Sequence, residues 1–160
     1  MATETLKIDY TNEKQAADLV SLLSAYALDP MGGAAPLPAH VQQNLPAALA
    51  DLPYAFSIIC YVDGVPAALA NCFEAFSTFA CAPLINIHDI IVLSEFRGLG
   101  LSHKLLEKIA EIGQTKGCCK ITLEVLTGNL PAQNSYRKFG FAPYSLDPEA
   151  GDAQFWQLKL

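Results

Sequence analysis

The sequence predicts an α/β (α+β) domain, with a single mixed, mostly antiparallel twisted sheet flanked by helices on both faces. Three observations lead there. Apolar residues recur at helical spacing in some segments and alternate or run continuously in others, in the order β-α-α-β-β-β-α-β-α-β-β. Glycine and proline separate those segments. The 160 residues are 52% hydrophobic, enough for one core, so residues 1–160 read as one domain.

Each element follows from its residues. Thr5 to Asp9 alternates as a first strand. Asn12 to Leu28 reads as a helix, with Ala16, Leu19, Val20, Leu23 and Tyr26 near one face and Thr11 or Asn12 as cap. Asp29-Pro30-Met31-Gly32-Gly33 ends it. Ala39 to Leu52 is a second helix, interrupted or kinked near Pro46. Tyr54 to Val62 and Val65 to Phe73 form a hairpin across Asp63-Gly64. Leu84 to Leu93 is a strand, and Gly100 to Lys116 a helix striped by Leu101, Leu105, Leu106, Ile109 and Ile112. Cys118 to Leu126 is a strand and Pro131 to Phe139 a short helix closed by Gly140. Phe141 to Tyr144 and Ala153 to Leu160 read as final strands.

Composition narrows the function. No apolar run reaches the ~18–20 residues of a membrane span. The first residues lack a basic-then-apolar leader pattern, so a soluble, cytoplasmic protein without a membrane partner is expected. The five cysteines contain no C-x-x-C and no paired Cys/His spacing, and several lie in apolar runs, which predicts reduced, buried thiols and no metal. A net charge of -6 argues against a nucleic-acid partner. The charge is uneven. Residues 1–96 hold Lys7 and Lys14 against ten acids, whereas residues 97–160 hold eight bases against six acids. An anionic cofactor suits the second half and a cationic substrate the first.

The sign changes at Arg97-Gly98-Leu99-Gly100-Leu101-Ser102, a small-residue loop between a strand and a helix. Bare N–H groups and the positive end of a helix dipole at such a loop hold phosphate. A dinucleotide fingerprint needs a third glycine where His103 stands, and the P-loop pattern G-x-x-x-x-G-K-[ST] is absent.

The loop resembles the acyl-CoA-binding signature [QR]-x-x-G-x-[GA] of the GNAT N-acetyltransferases, with Ser102 where that family prefers Gly or Ala. Leu123-Glu124-Val125, Asn129-Leu130-Pro131-Ala132, Tyr136 and Phe139-Gly140-Phe141 resemble its second signature. The match covers residues 84 to 144. The resemblance implies an enzyme that transfers the acetyl group of acetyl-CoA to a primary amine, of a small molecule or a peptide, by direct attack in a ternary complex. The alternative is a non-catalytic acyl-CoA sensor or interaction domain on the same fold. A homodimer through a sheet edge belongs to the same expectation.

The resemblance also implies roles. The pyrophosphate would lie on the N–H groups of Gly98, Leu99, Gly100, Leu101 and Ser102, with Arg97 adding a charge-assisted bond. The preceding strand would bulge and splay, freeing Ile90, Ile91 and Val92 to pair with pantetheine amides, while Asn129 bonds that arm from the opposite strand. Tyr136 would protonate the leaving thiolate and Glu124 would act as base, with His88 as competitor. Tyr26, Asp29, Phe76 and Asn86 are the substrate-side candidates, Phe76 within an aromatic loop that reads equally as a lid or lip or as packing on the core. Strand alternation places Asn86 and His88 on one face and Asp89 on the other as a solvated or paired carboxylate, a parity that the expected bulge can upset.

Overall fold

Alternation along the strand Ala55–Val62 (β2) divides the interior in two. Phe56, Ile58, Cys60 and Val62 turn to one side, where they join Leu101, Leu105, Leu106 and Ile109. Ile59 and Tyr61 turn to the other and join Leu19, Leu22 and Leu49. A buried strand with apolar residues on both faces needs a layer on each. Those layers are helices, as the sequence predicts.

The computed structural model describes residues 1–160. In chain order, Thr3–Lys7 (β1) precedes Glu13–Leu28 (α1) and Ala39–Ala50 (α2). Then come β2, Val65–Ser77 (β3), Ala82–Val92 (β4), Leu101–Thr115 (α3), Ile121–Leu123 (β5) and Leu130–Phe139 (α4). The five strands stand in sequence order in one sheet, antiparallel except for the parallel pair β4–β5. Helices α1 and α2 cover one face, and α3 and α4 the other.

Local chemistry explains the boundaries. The Asn12 side chain accepts the Gln15 N–H at 3.1 Å and caps α1. Asp63 and Gly64 both have positive φ, 48° and 80°, the backbone a two-residue hairpin between twisted strands requires. Pro46 sits inside α2, which runs through it as one helix instead of breaking. Proline removes one N–H bond, and Leu45 and Leu49 still anchor the helix on the core.

Other expectations need correction. β1 starts two residues earlier than expected because Thr3 already pairs with Val62. The expected strand from Cys118 to Leu126 shrinks to Ile121–Leu123, the stretch that pairs with Ile85–Ile87 of β4. The loop expected at Phe76 is strand, because β3 runs to Ser77 against Ala82. The two final strands do not form. The segment 141–160 makes one isolated bridge, Ser145 to Asp152. Pro143 has no N–H to give a ladder, and β5 offers an edge only three residues long. Phe155, Trp156 and Leu158 stay exposed.

Within β4 the register with β3 shifts once. Asn71 faces Asp89 but Cys72 faces Ile87, so His88 is an extra, bulged residue. The β4–β5 pairing ends at Ile87 and Leu123, while β4 continues to Val92. The strands therefore part just where the bulge bends β4.

Burial identifies the residue on which the α3 layer depends. Leu105 is fully buried between α3 and the sheet. Replacing it with alanine should cost about 2–5 kcal/mol in urea unfolding, whereas Phe155→Ser should change stability by less than about 0.5 kcal/mol.

Candidate acyl-CoA site

The gap between β4 and β5 is bordered by groups with nothing to bond. The Leu93 N–H donates to Ala67 C=O at 3.0 Å, so the backbone of Ile91 also faces β3. By alternation, Ile90 and Val92 turn their N–H and C=O groups to the open edge. The Val92 carbonyl accepts the Arg97 Nε–H at 3.4 Å, leaving its own N–H and both groups of Ile90 free. Of the three freed residues expected, Ile91 is thus tied to β3, and its side chain is buried against α1.

The loop at the end of β4 continues this line of free donors. Gly98 and Gly100 take φ of 80° and 73°, a region that favours glycine. The first helical bond of α3 is Lys104 N–H to Gly100 C=O at 3.3 Å. No backbone N–H from Gly98 through His103 donates to another backbone group. Six donors and the positive end of a fifteen-residue helix form an anion cradle. The hydroxyl of Ser102 is engaged elsewhere, 2.9 Å from Ser135 Oγ of α4. Leu101 is buried in the core, so it too offers only its backbone.

Helix α4 closes the far side of the gap. Asn129 caps it, its Oδ1 accepting the Ala132 N–H at 3.3 Å, which leaves the amide N–H groups of Asn129 without a protein partner. Two turns on, Tyr136 is buried and packs against Phe141 at 6.0 Å. Burial, helped by Tyr26, pushes its phenol up to about 12. Its hydroxyl makes no protein hydrogen bond and is not among the buried unpaired groups, so it reaches open space. Glu124 follows the last residue of β5, exposed and without a hydrogen-bond or ion-pair partner.

The opposite wall comes from β4 and the end of α1. The bulge overturns the expected alternation. Asp89 lies across from Asn71 on the α1 face, beside Asn86 and His88 instead of opposite them, because the extra residue resets the parity. His88 is exposed, and its ring meets Phe73 edge-on at 5.7 Å. Asn86 donates to Thr122 Oγ1 at 3.1 Å, clasping β5 just before the strands part. Asp29 accepts the Met31 N–H at 2.9 Å and pairs with Arg97 at 3.5 Å, joining the end of α1 to the glycine loop. Burial raises the Tyr26 phenol, with the Asp89 and Asp29 carboxylates adding to the rise.

Tyr26, Asp29, Arg97, the glycine loop and Tyr136 thus converge. Phe76 does not. It pairs with Pro83 near the start of β4, six residues and about 20 Å of strand from Asp89, on an arm that extends beyond β2. A cavity of about 460 Å³ lies between β5, α4 and residues 141–145; Tyr136 and Leu123 line it, and no loop glycine does. Asn71 is missed by sequence reasoning, and Asp89 is named there only as a solvated or paired carboxylate. The signal available was an Asn in an otherwise apolar run, opposite an Asp on the next strand.

The matching family model is Acetyltransferase (GNAT) family, over residues 19–141. A 56-residue stretch is 38% identical to thialysine N-epsilon-acetyltransferase of Mus musculus, covering 35% of this chain and 33% of that protein. A stretch of 88 residues is 33% identical to streptothricin acetyltransferase of Escherichia coli, covering 55% and 49% of the two chains. The matched stretch thus spans about a third of the length of the first of these curated relatives. An aminoglycoside N-acetyltransferase solved with CoA superposes with a TM-score of 0.75 at 17% identity, over 99% of this chain and 96% of that one. A structure described as a probable acetyltransferase reaches 0.79 at 16% identity, over 98% and 97%. At these identities, the superpositions establish the fold alone.

The raised Tyr136 has a testable sign. The native state holds this proton more tightly than the unfolded chain does. Its contribution to stability is therefore intact below pH 10.0 and is lost as pH rises toward about 12. Spectrophotometric titration of the wild type against Tyr136→Phe should show the missing phenolate forming near 12. A missing step at 10.0 would contradict the burial argument.

Proposed function

The chain belongs to the GNAT family of acetyltransferases, and from that premise we propose that it moves an acetyl group from acetyl-CoA to a primary amine while both are bound. The observation that carries this reading is the parting of β4 from β5 after Ile87 and Leu123, in line with six unbonded N–H groups at the glycine loop. Acyl-CoA has the matching parts: an extended arm with amides for a strand edge, and a pyrophosphate for a helix N-terminus.

The chain's residues fit that ligand. Ile90 and Val92 present strand-edge groups, Asn129 keeps amide donors free across the gap, and the loop from Gly98 to Ser102 holds the phosphates. Arg97 bonds back to Val92 and Asp29, so it braces the loop while one face of its guanidinium stays in solvent.

When bound, acetyl-CoA supplies a thioester whose carbonyl carbon an amine can attack. The protein then has a proton to remove and a departing sulfur to stabilise. Glu124 on the β5 lip and His88 at the β4 bulge are the bases proposed for the first task, directly or through water. Tyr136 serves the second. A phenol raised to about 12 keeps its proton at neutral pH and offers it to the sulfur as a hydrogen bond. An ordinary thiol has a pKa of about 8.5, so full transfer from Tyr136 is uphill and the hydrogen bond is the main contribution. Tyr26 and Asp29 form the floor on the acceptor side, and the acid excess of residues 1–96 favours a cationic acceptor.

Acetyl-CoA should raise the melting temperature, and thiol release from it should depend on an added amine. Tyr136→Phe should lower turnover by about 10²-fold with acetyl-CoA binding retained. A thermal shift without thiol release across a broad amine panel would favour the non-catalytic sensor. No shift at saturating acetyl-CoA would overturn both readings.

A further inference from the structure

Only two polar residues are buried in this molecule, Ser57 and Asn71, and they touch. Both face the α1 layer, where their neighbours are apolar. Ser57 Oγ–H donates to Asn71 Oδ1 at 2.7 Å. Because its single hydrogen is used there, its oxygen accepts the Tyr10 hydroxyl at 2.8 Å. Asn71 Nδ2 then donates to Asp89 Oδ2 at 3.0 Å. The carboxylate settles which end of the amide points where, since it can only accept. All the donors therefore run one way, Tyr10 to Ser57 to Asn71 to Asp89, across β2, β3 and β4. Bonds aligned head to tail reinforce one another.

Burying an amide and a hydroxyl under a helix layer is costly, and two apolar side chains would hold β2 to β3 as well. What apolar residues would not do is fix a carboxylate. Asp89 Oδ2 is held by Asn71, while Oδ1 has no protein partner, and no lysine or arginine pairs with Asp89. The bulge at His88 turns this half-buried group onto the wall it shares with Tyr26.

We propose that Asn71 is a positioning residue that holds Asp89 with one oxygen directed into the cleft, to receive an ammonium group of a cationic acceptor. The proposal rests on the acetyltransferase reading and adds to it how the acceptor is held. Asp89 anchors a cation, and the proton-removing step stays with Glu124 or His88. An acceptor with two amino groups fits best, one anchored and one attacked.

The test uses 1,5-diaminopentane, a flexible dication, as acceptor with saturating acetyl-CoA. Asp89→Asn and Asn71→Leu should each raise its KM about tenfold or more, with kcat and the acetyl-CoA KM within about threefold of wild type. Should Asn71→Leu fold poorly, the exchange Asn71→Asp with Asp89→Asn keeps a hydrogen-bonded acid–amide pair but moves the charge inward. It should melt below the wild type, because the charge now sits at a buried position, yet where it folds it should keep the high KM of Asp89→Asn. A wild-type KM in the exchanged protein would reduce the chain of bonds to a structural staple and overturn the proposal. Calorimetry on CoA-loaded protein separates this from the parent reading. If wild type binds 1,5-diaminopentane no more tightly than Asp89→Asn, the anchor is refuted, while a thermal shift with acetyl-CoA leaves the acetyltransferase reading standing.

Discussion

One extra residue in β4 organises the site. His88 has no partner on β3, and the strand must bend to accommodate it. β5 cannot follow the bend, so the parallel pairing stops after three residue pairs. The groups proposed for function lie around the resulting gap: the free edge at Ile90 and Val92, the glycine loop at its end, α4 and Tyr136 across it, and Asp89 on its wall. A regular β4 would continue to pair with β5 and leave no backbone groups for a ligand.

The core makes that opening tolerable. β3 holds β4 along its whole length, from Ala68–Val92 to Ser77–Ala82, so the sheet survives the loss of one edge. Helix α3 crosses over between β4 and β5 and buries Leu101, Leu105, Leu106 and Ile109 against the strands behind the gap. Two side-chain contacts then seat α4 on α3: Ser102 with Ser135, and His103 edge-on to Phe139 at 5.5 Å. Tyr136 is thereby held in the core cluster and against Phe141, a precision a surface loop does not offer.

Legibility in the sequence varied with how local the cause was. The Asp63-Gly64 turn, the α3 stripe and the Asn12 cap depend on near neighbours, and each appeared within a residue or two of its expected place. The glycine loop was legible because its chemistry is backbone chemistry, set by the small residues themselves. The face of Asp89 stays open in the sequence because a bulge counts residues against a partner strand, and the partner Asn71 is eighteen residues away. Asn71 was passed over for the same reason, since a buried amide declares its role only through what it bonds. Phe76 reads as a lid on composition, but the β3–β4 pairing carries it to the other end of the sheet. The C-terminal alternation that reads as strand has no long edge to join, since β5 ends at Leu123.

The central claim is that the parted edge and the glycine loop together form one continuous seat for acyl-CoA. Amide hydrogen exchange measured residue by residue, with and without CoA, tests it most directly. The account predicts that CoA slows exchange at Ile90, Val92 and Gly98 through His103, with little change at the β1–β2 edge. Unchanged exchange at Ile90 and Val92, or protection confined to the cavity between β5 and residues 141–145, would contradict it.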